Sequence, residues 1–134
     1  FGKLNSYIFL GLYHKYGRKP FLDHFKKIKD KSEEFKFKEY KKLHNVKDEK
    51  KLYSWFRDQV LHPHETQHTF EELIEIFKFS KYQIISTSIN KFQTIKSFKE
   101  IVYDEKKLIS YSENKIKNNE YYPGFFITVG KKIL

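Results

Sequence analysis

The 134-residue chain has no cysteine, which removes disulfides, thiol nucleophiles and thiolate metal sites together and fits a reducing compartment. Histidine and carboxylate chemistry remains. Methionine is also absent, even at position 1, so the sequence reads as an internal piece of a longer protein or as one cut at its start. No stretch approaches the roughly 18 to 20 apolar residues of a membrane helix, and the first residues lack the basic start, apolar run and small-residue cleavage site of a signal peptide. The expectation is a soluble, cytoplasmic protein with no membrane partner. Five glycines and three prolines leave no Gly-rich phosphate loop, and no serine elbow or paired-carboxylate arrangement occurs. Alanine is missing as well, and the only arginines are Arg18 and Arg57.

What is present suits one core. Hydrophobic residues make up 39% of the chain and aromatics 19%, enough apolar surface to exclude wholesale disorder. The net charge of +10 points towards polyanions, since each phosphate neutralised releases counterions. Nearly all of it is lysine, in a chain rich in Lys, Ile, Phe, Asn and Tyr, the usage of an AT-rich coding sequence. The planar guanidinium fork preferred for phosphate and base recognition is scarce. A lysine-rich nucleic-acid-binding module is therefore the alternative reading, which a steep salt dependence of binding would support.

Residues 6–12 (SYIFLGL) form a nearly continuous apolar run, as expected of a strand buried on both faces. Residues 13–20 (YHKYGRKP) read as a break at Gly17 and Pro20. Phe21, Leu22, Phe25 and Ile28 then have helical spacing, while residues 35–40 hold a competing period of two, so that half stays open. Leu52, Trp55, Phe56 and Val60 put one apolar stripe on a helix over residues 48–61, with Asp48 and Glu49 near its positive end and Pro63 as its stop. Thr69 and Glu72 form a capping box for a second helix that buries Phe70, Leu73, Ile74 and Phe77. Residues 82–89 (YQIISTSI) and 125–129 (FFITV) are the remaining strands. The polar stretch between them, 91–122, carries one or two helical turns around residues 98–103.

The sharpest local string is residues 62–69, HPHETQHT. It contains H-E-x-x-H, in which two histidines one helical turn apart bind zinc and the glutamate activates water. That chemistry needs a helix, whereas Pro63 precedes the string and the capping box starts the helix after it, so no metal site is expected and a zinc hydrolase is the least favoured reading. His62, His64, Glu65 and His68 instead stand ahead of a helix N-terminus whose free N–H groups suit an anion or polar substrate. Histidine also titrates near neutrality and can accept a proton. Tyr13, His14, Tyr16 and Arg18 directly follow the first strand, where open α/β sheets place ligands. Trp55, Phe56 and Phe70 have the spacing of core residues, with stacking on a planar ligand as the other possibility.

Three strings together resemble class I S-adenosylmethionine-dependent methyltransferases of a uniform bacterial group. Gly11-Leu12-Tyr13-His14-Lys15-Tyr16-Gly17-Arg18 is similar to that group's end of the fifth strand, where Asn is more usual than His14. Trp55-Phe56-Arg57-Asp58-Gln59 followed by residues 62–69 is similar to the block before its last long helix. Residues 125–132 (FFITVGKK) resemble its closing strand. Residues 1–6 would match the turn before strand five, so the resemblance implies the C-terminal half of a methyltransferase domain.

The implied fold is α/β, the rear part of a Rossmann-like seven-stranded sheet containing strands five, six and seven, with seven antiparallel between the other two. Residues 13–68 would form a helical cap over the substrate, and 69–134 the last helix and a terminal hairpin with a long connection. Strand five would be an unpaired apolar edge. The resemblance further implies S-adenosylmethionine as cofactor, held by the missing N-terminal half, so these residues alone should be inactive and bind no cofactor. Substrate-side residues would be Tyr13, His14, Tyr16, Arg18, Asp58, His62, His64, Glu65 and His68. Arg18 would take an acceptor carboxylate or phosphate and a histidine the acceptor's proton. The partners implied are a small polar methyl acceptor and the missing half.

Overall fold

A computed structural model describes residues 2–134. The chain is mixed α/β, with a four-stranded mixed sheet of order β2-β1-β4-β3 and helices packed around it. Strand β1 (Tyr7–His14) pairs antiparallel with β4 (Phe125–Lys132), which pairs antiparallel with β3 (Tyr82–Thr87). β1 and β3 are thus parallel to each other, with β4 between them. The short β2 (Gln67–His68) runs parallel to the end of β1, matching Gln67 to Tyr13 and His68 to His14. No helix is long and apolar enough to cross a membrane among the described residues.

Two apolar clusters hold the structure together. Helices α1 (Lys15–Lys27), α2 (Glu33–Lys42) and α3 (Glu49–Phe56) bury Phe21, Phe25, Tyr40, Leu43, Leu52 and Phe56, against which Ile116 and Tyr121 pack. Ser32 and Asp48 cap α2 and α3 by accepting the Phe35 and Lys51 N–H groups, as short polar side chains do at helix starts. The second cluster joins the sheet to α4 (Phe70–Phe79) and α5 (Phe98–Glu105). In it Phe70, Phe77, Tyr82, Ile84 and Ile101 pack with Ile8 and Leu10. Each phenylalanine fully buried in this way contributes about 2–3 kcal/mol. Helix α6 (Leu108–Lys117) packs along α1 and so ties the connection before β4 to the helical lobe.

The structure corrects several expectations. Residues 13–20 do not break the chain: α1 starts at Lys15 and runs through Gly17 and Pro20. His14 makes this possible, because its Nδ1 accepts the Tyr16 and Gly17 N–H groups at 3.1 and 3.2 Å. Pro20 costs the helix one donor, but α1 buries Phe21 and Phe25 immediately beyond it. Residues 35–40 are helical, because Tyr40 and the α3 aromatics reward the helical face. The connection 91–122 holds two helices, not one or two turns, and the strand expected over 82–89 ends at Thr87, where a 3₁₀ turn (Ser88–Asn90) follows.

β1 is not buried on both faces. Its residues alternate, with Tyr7 and Phe9 exposed (Phe9 by 71%) and Ile8 and Leu10 turned to the core. Its outer edge is paired by β2 at Tyr13 and His14 only, while residues 7–12 have no strand partner on that side among the described residues. Gly124, just before β4, has φ +64°, and a Cβ there would lie 2.7 Å from the Arg18 backbone, so only glycine allows the chain to enter the strand this close to α1.

Candidate functional site

At the carboxyl end of β1 a cavity of about 400 Å³ opens between the sheet and the helical lobe. Its floor is Tyr13, the last outward-facing side chain of β1. One wall comes from α3 and the turn that ends it: Trp55 on the helix, then Asp58 and Gln59 on a π-helical turn (Arg57–Leu61). The turn closes with the His62 N–H donating to the Arg57 carbonyl at 2.8 Å, and Pro63 prevents further helix. The other wall is the irregular segment carrying His62, His64 and Glu65. Tyr13, Asp58, His62, His64 and Glu65 from the expected set are therefore brought together, with Trp55 and Gln59 added.

The anchor of this site is Arg18, which is fully buried. Its Nε donates to Glu65 Oε1 and Oε2 at 3.2 and 3.1 Å, its Nη2 donates to Oε1 at 2.9 Å, and its Nη1 reaches the Pro123 carbonyl at 3.4 Å. The guanidinium also lies 4.5 Å from the Tyr13 ring centre and 4.1 Å from that of Phe21. The carboxylate that Arg18 binds is thus the chain's own, and the fork offers no free side to an acceptor carboxylate or phosphate. The expected role of Arg18 gives way to a structural one: it fixes Glu65, and with it the 62–65 segment, against β1.

His14, Tyr16 and His68 do not line the cavity. His14 is buried beneath the sheet end as the cap of α1. Its Nδ1 lone pair faces two N–H groups, which puts the ring proton on Nε2, where it donates to Glu105 Oε1 at 2.7 Å. Tyr16 is half-buried with its ring 5.7 Å from that of His14. His68 turns away, bonding Thr66 through Nε2 and Glu72 through Nδ1. With Glu65 held by Arg18 and His68 in a strand, the H-E-x-x-H string has no helix to bring its ligands together. No cluster of metal-ligating side chains occurs among the described residues.

The free N–H groups expected ahead of α4 are also taken. Glu105, from α5, is buried and accepts the Phe70 N–H at 2.7 Å and the Glu71 N–H at 3.3 Å, while Thr69 accepts that of Glu72. The anion at this helix dipole is built in. Nothing in residues 103–107 (YDEKK) sets Glu105 apart from the solvated acids around it; only the approach of α5 to α4 does.

Behind the cavity, Gln59 Oε1 accepts the Tyr121 hydroxyl at 3.0 Å, and Tyr121 stacks on His44 at 4.4 Å. Burial raises the Tyr121 phenol above its ordinary range, an effect opposed by nearby Arg18, and burial lowers the His44 imidazole. The Tyr40 hydroxyl and His44 Nε2 are buried with no hydrogen-bond partner, and burial pushes Tyr40 far up as well. Phe56 and Phe70 are core, whereas Trp55 is half-buried and faces the cavity. No protein-family model, curated protein or solved structure matches the chain.

Proposed function

We propose that these residues form the acceptor-binding side of a small-molecule methyltransferase of the S-adenosylmethionine-dependent class I type. The observation that carries the reading is the cavity at the carboxyl end of β1, walled by a helical lobe inserted after that strand. The strand order supports it too, with β4 antiparallel between the mutually parallel β1 and β3, as the resemblance implies for strands seven, five and six. On this reading the four-stranded sheet is the rear of a seven-stranded one, and the bare edge of β1 at residues 7–12 and exposed Phe9 are where the remainder packs.

The cofactor does not fit the residues present. Gly11, Gly17 and Gly130 are filled by Phe125, Tyr122 and Phe77, and Gly124 by the α1 backbone, so no glycine leaves a cradle for a nucleotide or sulfonium. What this chain contributes is the seat of the acceptor. Tyr13 and Trp55 give apolar contact, Asp58 and Gln59 give polar direction, and the Arg18–Glu65 pair holds the walls at fixed spacing. Positioning of this kind supplies much of the acceleration in group transfer.

Calorimetry tests the reading. Residues 1–134 should give no heat with S-adenosylmethionine, and the product of the whole reading frame containing them should bind it in a one-to-one complex. A whole product without affinity, or binding by residues 1–134 themselves, refutes the proposal.

A further inference from the structure

We infer that the cavity at the end of β1 takes an organic ammonium ion: a primary amine on a small aromatic or apolar frame. The inference rests on the methyltransferase reading only for calling that amine the methyl acceptor. Two carboxylates stand in the cavity wall, but they are not equivalent. Both oxygens of Glu65 are engaged by Arg18, so that pair carries no net charge into the cavity. Asp58 is exposed and has no hydrogen bond or ion pair among the described residues, and its chain neighbour Arg57 is not part of the wall. In a chain of net charge +10, the cavity thus presents one uncompensated negative charge.

The rest of the lining sets the size and character of the ligand. Trp55 and Tyr13 provide aromatic surface, and the Gln59 amide, whose oxygen is held by Tyr121, has its nitrogen free to donate. Lys51 lies 5.2 Å from the Trp55 ring and Arg18 lies over Tyr13, so both rings already face a cation. Their cavity faces therefore serve for apolar contact, and recognition of charge falls to Asp58. An ammonium has no lone pair and must lose a proton before it can act as a nucleophile. The unpartnered imidazoles of His62 and His64 stand in the same wall as acceptors for that proton.

Trp55 is the sole tryptophan of the chain, so tryptophan emission comes from the wall of this cavity. Titration with 2-phenylethylamine, 2-phenylethanol and 3-phenylpropionate compares a cation, a neutral isostere and an anion on one frame. The amine should bind about threefold tighter than the alcohol, the factor an ion pair with an exposed carboxylate carries, and the carboxylate weakest. Asp58→Asn, an exposed change that leaves the core intact, should erase the amine's advantage over the alcohol. Equal binding of amine and alcohol, tighter binding of the carboxylate, no response of Trp55 to any of the three, or an amine preference that survives Asp58→Asn would each overturn the inference. These outcomes are independent of the cofactor calorimetry: an amine preference without cofactor binding by the whole product rejects the methyltransferase reading and leaves an amine-binding site.

Discussion

Removal of the Glu105 carboxylate should be among the most damaging single changes in the molecule, although the residue lies outside the cavity. Its two oxygens serve three donors: the Phe70 N–H, the Glu71 N–H and His14 Nε2. Two of these sit at the N-terminus of α4, and the third belongs to the cap of α1, so one side chain joins the starts of two helices. Glu105→Ala leaves all three without a partner at a site where Glu105 and His14 are essentially inaccessible to water. At about 1–3 kcal/mol for each orphaned donor, partly relieved by water entering the space, the loss should be about 4 kcal/mol. That is a large share of the roughly 5–15 kcal/mol by which single domains are stable. Urea unfolding followed by Trp55 emission and far-ultraviolet dichroism should show a midpoint lower by about 2 M. Glu105→Gln keeps one acceptor but turns an N–H₂ group towards a donor, and should cost about half as much. A loss below about 1 kcal/mol in Glu105→Ala would refute the account of this residue as the acceptor for the first N–H groups of α4.

Other variants test neighbouring parts of the argument. Arg18→Met should destabilise by about 3–5 kcal/mol, because it leaves Glu65 without its counter-charge in a largely dry setting; adding Glu65→Gln should recover most of that loss, and denaturation of both variants checks it. Gly124→Ala should cost about 2 kcal/mol or more from the left-handed backbone and the clash with α1, read as a drop in melting temperature. Burial holds the His44 imidazole below its ordinary value, so the unfolded chain takes up its proton more readily than the folded one. Stability should therefore fall as pH drops below about 6.5, and His44→Phe should flatten that fall between about pH 7 and 5 in a series of denaturant midpoints. Phe9→Lys, on the bare face of β1, should change stability by less than about 0.5 kcal/mol while raising solubility, as measured by precipitation and unfolding together.

Much of the fold was legible in one dimension wherever a local rule and a buried face agreed. Thr69 caps α4 by accepting the Glu72 N–H, and Phe70, Leu73 and Phe77 form its buried side as their spacing required. Asp48 caps α3, and the stop before Pro63 is respected, though as a π-helical turn. Strands β1, β3 and β4 were legible from their apolar, β-branched and aromatic runs, whereas the two-residue edge strand β2 was not. Legibility failed where a distant contact outweighed a local signal. Gly17 and Pro20 read as breakers, yet the His14 cap and the buried Phe21 and Phe25 carry a helix across them. Helix α6 has no strong pattern of its own and exists through its packing on α1.

The candidate site divides in the same way. The histidine string and the end of β1 attract attention from position and residue type alone, and five of the expected residues do meet in one cavity. The sequence determined which groups were on offer, because side-chain chemistry and helix and strand periodicity are properties of neighbouring residues. Only the tertiary structure decided which of them remain available. Arg18 and Glu65 neutralise each other across 47 positions, Glu105 reaches His14 across 91, and Asp58 is left unpaired. Charge pairing depends on distance in space, and no pattern along the chain encodes it.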